Sequence, residues 1–452
     1  MKKRLNGSDF GVRTKRAPGI WLTLICLLSS VQASSILAAS LDNKLTLTEA
    51  IKRSLEQNPS LKVFALRDTG LSGQLETAQL KPAYELDIET ENFAGTKSLS
   101  GLDSVELTVS LSSTIEMGGK LEARAGFYSN SRSVLTAQKQ VESLELLGEV
   151  TRRYIDVLAA QERVVLALEA TELAKSTFAV VQKRSKAGST PEAEVKRAKA
   201  AQSQSELTLL SEQQQLAYLK IALAALWGDT KARFSTVSGD LFRFGKDVDF
   251  AVLYAKLEKN PAIQVFVAEE RLKDAEVRLA KTESSSDFRW SVGVRQFQES
   301  NDTALTAGFS MPLFSSSRNK GAVSSALASR NEVFVQREVA LLNMHTQLFR
   351  AFSNRQQAIV SVKKLQNEIV PSLEQALKET RQAYERGRFS YLEYVTARQE
   401  LLSARRSLIE AASAVLTYGA NIEQLTAEPL PASEYLIRSD LIQSATQPNF
   451  KD

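Results

Sequence analysis

Two segments decide the fold, Tyr84-Glu-Leu-Asp-Ile-Glu-Thr-Glu-Asn-Phe93 and Ser104-Val-Glu-Leu-Thr-Val-Ser-Leu-Ser-Ser-Thr-Ile115. Apolar and polar residues alternate in both, which is the pattern of a β-strand with one apolar face. Each has about the ten residues that a tilted strand needs to cross a bilayer. Met117-Gly-Gly-Lys120 then begins a helical pattern that continues without a break to Gly188. At ~1.5 Å per residue this helix would be about 100 Å long, and its apolar spacing predicts lateral packing along most of that length.

The same plan recurs about 200 residues later, which predicts an internal two-fold repeat. Asn58-Pro59 returns as Asn260-Pro261, and Gly188, which ends the long helix, returns as Gly387. Each repeat would contain an entry helix, a β-hairpin, a long helix and a return helix. The first repeat is predicted at 45–228, with its hairpin at 84–115, long helix at 120–187 and return helix at 191–227. The second is predicted at 249–428, with its hairpin at 288–314, long helix at 319–386 and return helix at 390–427. A connector at 229–248 would join them, and a polar tail at 429–452 would follow.

Local signals refine the helix ends. Thr190 is predicted to cap the first return helix, with Pro191 in its first turn. Ser390 and Glu393 have the spacing of a capping box at the start of the second return helix. Pro371 falls inside the second long helix, where it removes one hydrogen bond. We expect a kink there, because the apolar spacing continues beyond the proline.

Residues 1–33 have the features of a secretory signal peptide. They contain six basic residues and one acidic residue, an apolar core at Ile20–Leu28 and a small-residue exit at Val31-Gln-Ala33, with a later cut near Ala39 as an alternative. The core is shorter than the ~20 residues of a spanning helix. This segment holds the whole formal excess of +5, so the mature chain has no basic surface typical of nucleic-acid binding. Cys26, the chain's one cysteine, also lies in it, and the residues before it do not fit lipid attachment.

Four strands of this kind cannot close a barrel alone, and an open strand edge in lipid leaves backbone groups unpaired. Closure therefore requires further chains. A dimer would supply eight strands and a trimer twelve, and only the larger barrel leaves room for a passage. The long amphipathic helices would continue around the same axis as a wall in the adjoining compartment. The alternative from periodicity alone is a soluble β-hairpin packed on a helical bundle.

One face of the first strand is apolar and the other is acidic. Arg289 and Arg295 on the third strand offset part of this charge, so the sequence predicts a mild cation preference. Side chains that only keep a channel hydrated would give the same pattern. The acidic row is predicted to face the lumen, and it consists of Glu85, Asp87, Glu89 and Glu91.

No motif of enzyme or cofactor chemistry occurs in the sequence. It has no phosphate-binding GxxxxGKS/T, no GxGxxG after a strand and no GxSxG. The one histidine, His345, stands among Leu342, Met344 and Leu348, which predicts a core or wall position. A histidine without neighbouring cysteines or carboxylates cannot form a transition-metal site. We therefore predict no catalytic residue, no cofactor and no bound metal.

With these segments in view, the chain resembles the TolC-type outer-membrane efflux proteins from Leu45 to Thr426, and within them it is most similar to the heavy-metal (cobalt–zinc–cadmium) branch. The motifs that carry the likeness are Glu91-Asn-Phe93, Ile115-Glu-Met-Gly-Gly-Lys120 and the run Pro371-x-x-Glu-x-Ala-x7-Tyr384-x-x-Gly387-Arg-Phe-Ser390-Tyr-Leu-Glu393. The resemblance implies a fold that is mainly α with a transmembrane β-barrel. A homotrimer in outer-membrane lipid would form a twelve-stranded barrel on a periplasmic α-helical barrel. The implied partners are a periplasmic adaptor (membrane fusion protein) and an inner-membrane RND pump.

The resemblance also implies functional positions. The helix turns would be the tips that meet the adaptor, and these are Gly188, Ser189, Thr190, Gly387, Phe389 and Ser390. The periplasmic gate and entrance would be formed by Glu194, Tyr384, Arg386, Arg388 and Glu393. Thr396 stands where some members carry a second lumenal acid, and Phe389 stands where the gate arginine is expected, so Arg386 or Arg388 would have to replace it. Glu393 could serve as a helix cap, as a gate acid, or as both.

These inferences predict a passive exit channel of a tripartite efflux system, not an enzyme, that exports heavy-metal cations across the outer membrane. Export of organic toxicants or drugs, or of a type I secretion substrate, is the first alternative. A periplasmic adaptor or a coiled-coil scaffold is the second. An adaptor would carry one helical hairpin flanked by small β-domains, whereas this chain has two matched units.

Overall fold

The computed structural model describes residues 44–97, 101–245, 248–313 and 315–428. The predicted signal peptide at 1–33, with Cys26, and the predicted tail at 429–452 lie outside these ranges. None of the helices within them is long and apolar enough to span a membrane.

The order of the main elements recurs in the two halves of the chain: entry helices, two strands, a long helical segment and a return helix. The first half contains β1 (Lys44–Leu45), α1 (Leu47–Gln57), α2 (Pro59–Ala78), β2 (Glu85–Glu91), β3 (Glu106–Ile115), α3 (Lys120–Lys186) and α4 (Glu192–Ala224). A connector with β4 (Thr236–Val237) follows. The second half contains α5 (Phe250–Tyr254), α6 (Pro261–Thr282), β5 (Phe288–Phe297), β6 (Thr303–Ser310), α7 (Ser315–Arg318), α8 (Lys320–Lys364), α9 (Val370–Glu385) and α10 (Tyr391–Thr426).

The two β-hairpins join into one antiparallel sheet with the strand order β2-β3-β5-β6. Residues on one face are apolar and exposed, and they include Leu86, Ile88, Leu107, Val109, Leu111, Val292, Val294, Leu305 and Phe309. The opposite face carries the acidic row of β2 beside serines and threonines of β3. Gly293 is paired with Ser110 at the seam between the two hairpins, and a Cβ there would lie 2.6 Å from the Val109 carbonyl oxygen. The seam therefore requires glycine at this position.

Asn58 and Asn260 have equivalent roles in the two halves. Each caps the helix that begins at the following proline: Asn58 accepts from the Ser60 N–H at 2.8 Å, and Asn260 from the Ala262 N–H at 2.8 Å. Each also donates its side-chain amide to the end of its own return helix, Asn58 to the Leu226 carbonyl at 2.7 Å and Asn260 to the Leu425 carbonyl at 2.8 Å. Each Asn-Pro pair thus begins one helix, and its asparagine amide connects that helix to the end of another.

Helix α3 packs against α4 and α10, and against the entry helices α2 and α6 of both halves. The main core lies around its middle, where Tyr154 is 1% exposed. The Tyr154 hydroxyl lies 2.9 Å from the Leu45 carbonyl, beside the short parallel pair of β1 and β4. Gln161 donates to and accepts from the backbone of Val237 in the same pair. The connector is therefore attached to α3 through β4.

The second long helix is interrupted by a π-helical turn, Leu365–Ile369, directly before α9. Pro371 lies in the first turn of α9. Proline has no N–H and its ring clashes with the preceding turn, so a widened turn is a normal way to accommodate it within a helix. The helix then continues to Glu385, and Pro371 interrupts it without ending it.

The junction between sheet and helices is held by Lys120 and Asp287. Lys120 is only 6% exposed, and its Nζ lies 2.7 Å from the Asp287 carboxylate. The other oxygen of Asp287 accepts from the Met117 N–H at 3.0 Å. Gly118 has φ +75°, and a Cβ there would lie 2.6 Å from the Ser285 Cβ. The Gly118 turn thus lets the start of α3 approach the segment that precedes β5.

Candidate functional site

The two helix-to-helix turns at 187–191 and 386–390 have the same backbone structure. Gly188 has φ +74° and Gly387 has φ +75°, the left-handed conformation that favours glycine. After each glycine the next N–H reaches back five residues, from Ser189 to the Arg184 carbonyl at 3.0 Å and from Arg388 to the Ala383 carbonyl at 2.9 Å. Both are Schellman-type ends, which satisfy carbonyls that a helix C-terminus leaves free.

The two return helices begin differently. Helix α10 has the predicted capping box: Ser390 Oγ accepts from the Glu393 N–H at 3.3 Å, and Glu393 accepts from the Ser390 N–H at 2.7 Å. The Ser390 N–H and hydroxyl lower the pKa of Glu393. In contrast, the prediction that Thr190 caps α4 is wrong. Pro191 is the capping residue and makes no side-chain cap bond, while Thr190 is buried.

Three tyrosines of α9 and α10, which form the second helical hairpin, make a buried cluster beside the turns. Tyr384, Tyr391 and Tyr394 are 2%, 6% and 3% exposed. The rings of Tyr384 and Tyr394 are stacked, with centroids 5.6 Å apart and an angle of 12° between planes. Val181 of α3 and Ala198 of α4 complete the cluster, so it joins the two helical hairpins.

Arg184 of α3 is the cation that contacts Tyr384. Its Cζ lies 4.5 Å from the centroid of the Tyr384 ring, and its Nη1 donates to the Tyr384 carbonyl at the end of α9. A guanidinium over a tyrosine face is a favourable cation–π geometry. Arg184 was not predicted as a site residue, because the family pattern places the gate arginine after Gly387. Arg386 and Arg388 are exposed, and the structure places Arg184, and neither of them, over Tyr384.

The hydroxyl of Tyr384 is buried and has no hydrogen-bond partner among the described residues. Burial raises the pKa of Tyr384, while the nearby Thr190 hydroxyl and Arg184 act in the opposite direction and Glu194 adds to the increase. The phenol is therefore neutral at physiological pH. Glu194 is half-buried in the first turn of α4, close enough to act on Tyr384 electrostatically.

The acidic row on β2 is largely paired within the sheet. Arg289 contacts Glu85 and lies 3.6 Å from the Asp87 carboxylate. Arg295 lies 3.0 Å from both Glu91 and Glu106. Glu89 is exposed and forms no ion pair within the described ranges. This face carries five acids and two arginines. The arginines neutralise only part of the acidic charge, so the net charge of the face is negative.

Within the described parts of the chain, no group of three or more His, Cys, Asp and Glu side chains could hold a metal ion. His345 is half-buried and contacts two aromatic rings edge-on, those of Phe250 at 5.8 Å and Tyr254 at 5.0 Å between centroids. These neighbours are packing partners of the kind expected in a helical wall. The arrangement as a whole consists of two helix turns linked through Arg184 and the tyrosine cluster, and of a charged strand face.

This combination of long helical hairpins and a four-stranded sheet is the fold of outer membrane channels. The chain is similar to a crystal structure of CusC, with a TM-score of 0.71 and 16% identity over 86% of this chain and 93% of that one. It is also similar to the outer membrane protein VceC from Vibrio cholerae, with a TM-score of 0.65 and 20% identity over 85% of this chain and 96% of that one. This likeness confirms the predicted fold class.

The model of the outer membrane efflux protein family matches residues 50–229 and 252–428, and the chain belongs to that family. Among its relatives is the cobalt-zinc-cadmium resistance protein CzcC of Cupriavidus metallidurans, 25% identical over 80% of this chain and 85% of the relative. Another is the nickel-cobalt-cadmium resistance protein NccC of Alcaligenes xylosoxydans, 24% identical over 68% of each chain. The predicted resemblance is thereby confirmed. The family consists of channel proteins of the outer membrane.

Proposed function

We propose that this chain is the passive exit channel of a tripartite efflux system that exports heavy-metal cations across the outer membrane. The observation that carries the proposal is the four-stranded sheet with an exposed apolar face and two free edges. Strands β2 and β6 are the edges, and each pairs on one side only within the described residues. An exposed edge with an apolar face is a site for further strand pairing.

The direction of these edges allows further copies of the chain to close the barrel, and we propose three copies. In the order β2-β3-β5-β6 every neighbouring pair is antiparallel, so β6 runs opposite to β2. The β6 edge of one copy can therefore pair with the β2 edge of the next copy without changing the antiparallel pattern. Three copies give twelve strands, all backbone groups are then paired in lipid, and the interior is wide enough for a passage. The acidic row would line that passage.

We assign the periplasmic gate to the contact between the two helical hairpins near their turns. Arg184 of the first hairpin holds Tyr384 of the second by stacking and by a hydrogen bond to its backbone. Glu194 and Glu393 provide acids beside the entrance. In this assignment Arg184 takes the part of the arginine that the family pattern places at position 389, where this chain has Phe389. Opening would require the two hairpins to separate at this contact.

The helix turns are the proposed docking points for a periplasmic adaptor, which would connect the channel to an inner-membrane RND pump. Gly188, Ser189, Gly387, Phe389 and Ser390 are exposed there, and Phe389 presents an apolar side chain that is 44% exposed. Thr190 is buried and would support the turn from inside. The energy for export would come from the pump, since the channel only opens and closes.

Heavy-metal cations are the proposed cargo because two relatives are named as resistance proteins for cobalt, zinc, nickel and cadmium. The net negative strand face is compatible with the passage of cations. The cargo would pass without being coordinated, because no cluster of metal-ligating side chains occurs in the part of the chain that the structure describes. A signal peptide at 1–33 would direct the chain to the cell envelope, with the helices in the periplasm.

The cargo is tested by growth of a deletion strain on plates with graded cobalt, zinc and cadmium salts and with organic toxicants. We expect the minimal inhibitory concentration of at least one of these metals to fall several-fold, and to be restored by the wild-type gene. A strain sensitive to organic toxicants alone would contradict the metal assignment. A chain truncated before α10, expressed equally, is the control for restoration by a functional channel.

A further inference from the structure

A cavity of 610 Å³ lies between α3, α4 and α10, on the side of the tyrosine cluster away from the turns. Its volume falls within the ~300–1,000 Å³ that is usual for small-molecule sites. Part of its wall is apolar, and the side chains there include Leu166, Ala167, Ala170, Ala174, Ala201 and Leu402. The alanine side chains are too short to fill the space between the three helices.

Three arginines line this cavity, and their ion pairing differs. Arg163 and Arg406 both contact Glu212, at 3.3 Å and 2.9 Å. Arg398 is 6% exposed, and no carboxylate of the described chain lies within ion-pair distance of it. Its Nε and Nη1 are buried and have no hydrogen-bond partner in the same part of the chain. A guanidinium stays charged in a protein, and burying that charge without an acceptor is strongly disfavoured. Arg398 is therefore a buried charge that lacks an anionic partner in this cavity.

We propose that this cavity binds a small organic monocarboxylate. The carboxylate would accept hydrogen bonds from Arg398, which supplies the charge-assisted donors that recognise such groups. The apolar part of the molecule would lie against the alanine wall of α3 and α4. The same arrangement disfavours amines, because their positive charge would face Arg398. The site lies within the wall of one chain and does not depend on what passes through the channel.

The proposal is tested by fluorine NMR on the full assembly, extracted from the outer membrane in detergent. The probe is para-fluorobenzoate, and its neutral amide, para-fluorobenzamide, has nearly the same shape. We expect saturable broadening of the benzoate signal and binding of the amide that is about tenfold or more weaker, because only the carboxylate pairs with a buried charge. Arg398→Gln removes that charge, and it should weaken benzoate binding by about tenfold or more.

Two further variants separate a specific site from general effects. Arg197→Gln removes a charge from an exposed position of α4 outside the cavity, and benzoate should bind it as it binds the wild type. Ala170→Leu places a larger side chain on the apolar wall with Arg398 in place, and benzoate binding should weaken. The proposal is overturned by equal broadening with Arg398→Gln, by equal binding of the amide, or by the absence of saturable broadening in the wild type. If Arg398→Gln does not assemble, Ala170→Leu and the amide still decide the matter.

Discussion

Replacing Arg184 by alanine is expected to open the periplasmic end of the channel. The substitution removes a cation–π contact, worth roughly 0.5–2 kcal/mol, and a hydrogen bond from a charged donor, worth roughly 1.5–3 kcal/mol. Both contacts join α3 to α9, so their loss favours separation of the two hairpins. A combined loss of about 2–5 kcal/mol corresponds to a shift of roughly 30- to 4,000-fold toward the open state in each subunit. Single-channel conductance of the purified protein in planar bilayers measures this shift.

The matched control is Arg386→Ala, which removes an exposed arginine from the neighbouring turn. It should conduct as the wild type does. Tyr384→Ala should open the channel as Arg184→Ala does, whereas Tyr384→Phe should have little effect, because it keeps the ring that Arg184 stacks on and the hydroxyl has no hydrogen-bond partner among the described residues. If Arg386→Ala opened the channel and Arg184→Ala did not, the gate would lie at the exposed arginine.

Replacing Asp287 by alanine is expected to destabilise the junction between sheet and helices by about 1.5–3 kcal/mol, because it removes the nearer carboxylate partner of the buried ammonium of Lys120. Glu283→Ala is the control. Glu283 lies 3.6 Å from the same ammonium but is half exposed, so its removal should cost less than about 1 kcal/mol. The double variant Lys120→Met with Asp287→Leu should recover most of the loss, since neither charge is then buried alone. Denaturant unfolding of the purified proteins measures the free energy of unfolding of these three variants.

The same carboxylate gives a pH dependence with a definite sign. Burial by itself would raise the pKa of Asp287, but hydrogen bonds from Lys120 and from the Met117 N–H lower it below 3.8 overall. A lowered pKa in the folded state means that the stabilisation is complete above about pH 4 and is lost as the pH falls through the folded value. Wild type should therefore lose stability on acidification below about pH 4 by more than Asp287→Ala does. Equal acid sensitivity of the two proteins would contradict the assignment.

Much of the helical framework could be predicted because its signals are local. The long helix predicted at 120–187 runs from Lys120 to Lys186, and the return helix predicted at 390–427 runs from Tyr391 to Thr426. Apolar spacing defines such helices along their whole length, and a glycine with positive φ marks each turn. In contrast, β1 and β4 have two residues each, too few for any periodicity, and their pairing depends on contacts with α3.

The site was less predictable for the same physical reason. Arg184 and Tyr384 are separated by 200 positions, and their contact depends on how two helical hairpins are aligned with each other. No local sequence pattern specifies how the two helical hairpins are aligned. Thr190 was expected to cap a helix because its residue type and position fit, but Thr190 is buried and Pro191 occupies the cap position. Ser390 and Glu393 could be assigned because a capping box involves only neighbouring residues.

The central claim is that the sheet of one chain is completed only by further copies of the same chain. Native mass spectrometry of the protein extracted in detergent from the outer membrane tests it most directly. We expect a complex of three copies whose apolar sheet face is covered by detergent. A single copy, recovered from the soluble periplasmic fraction without detergent, would contradict it.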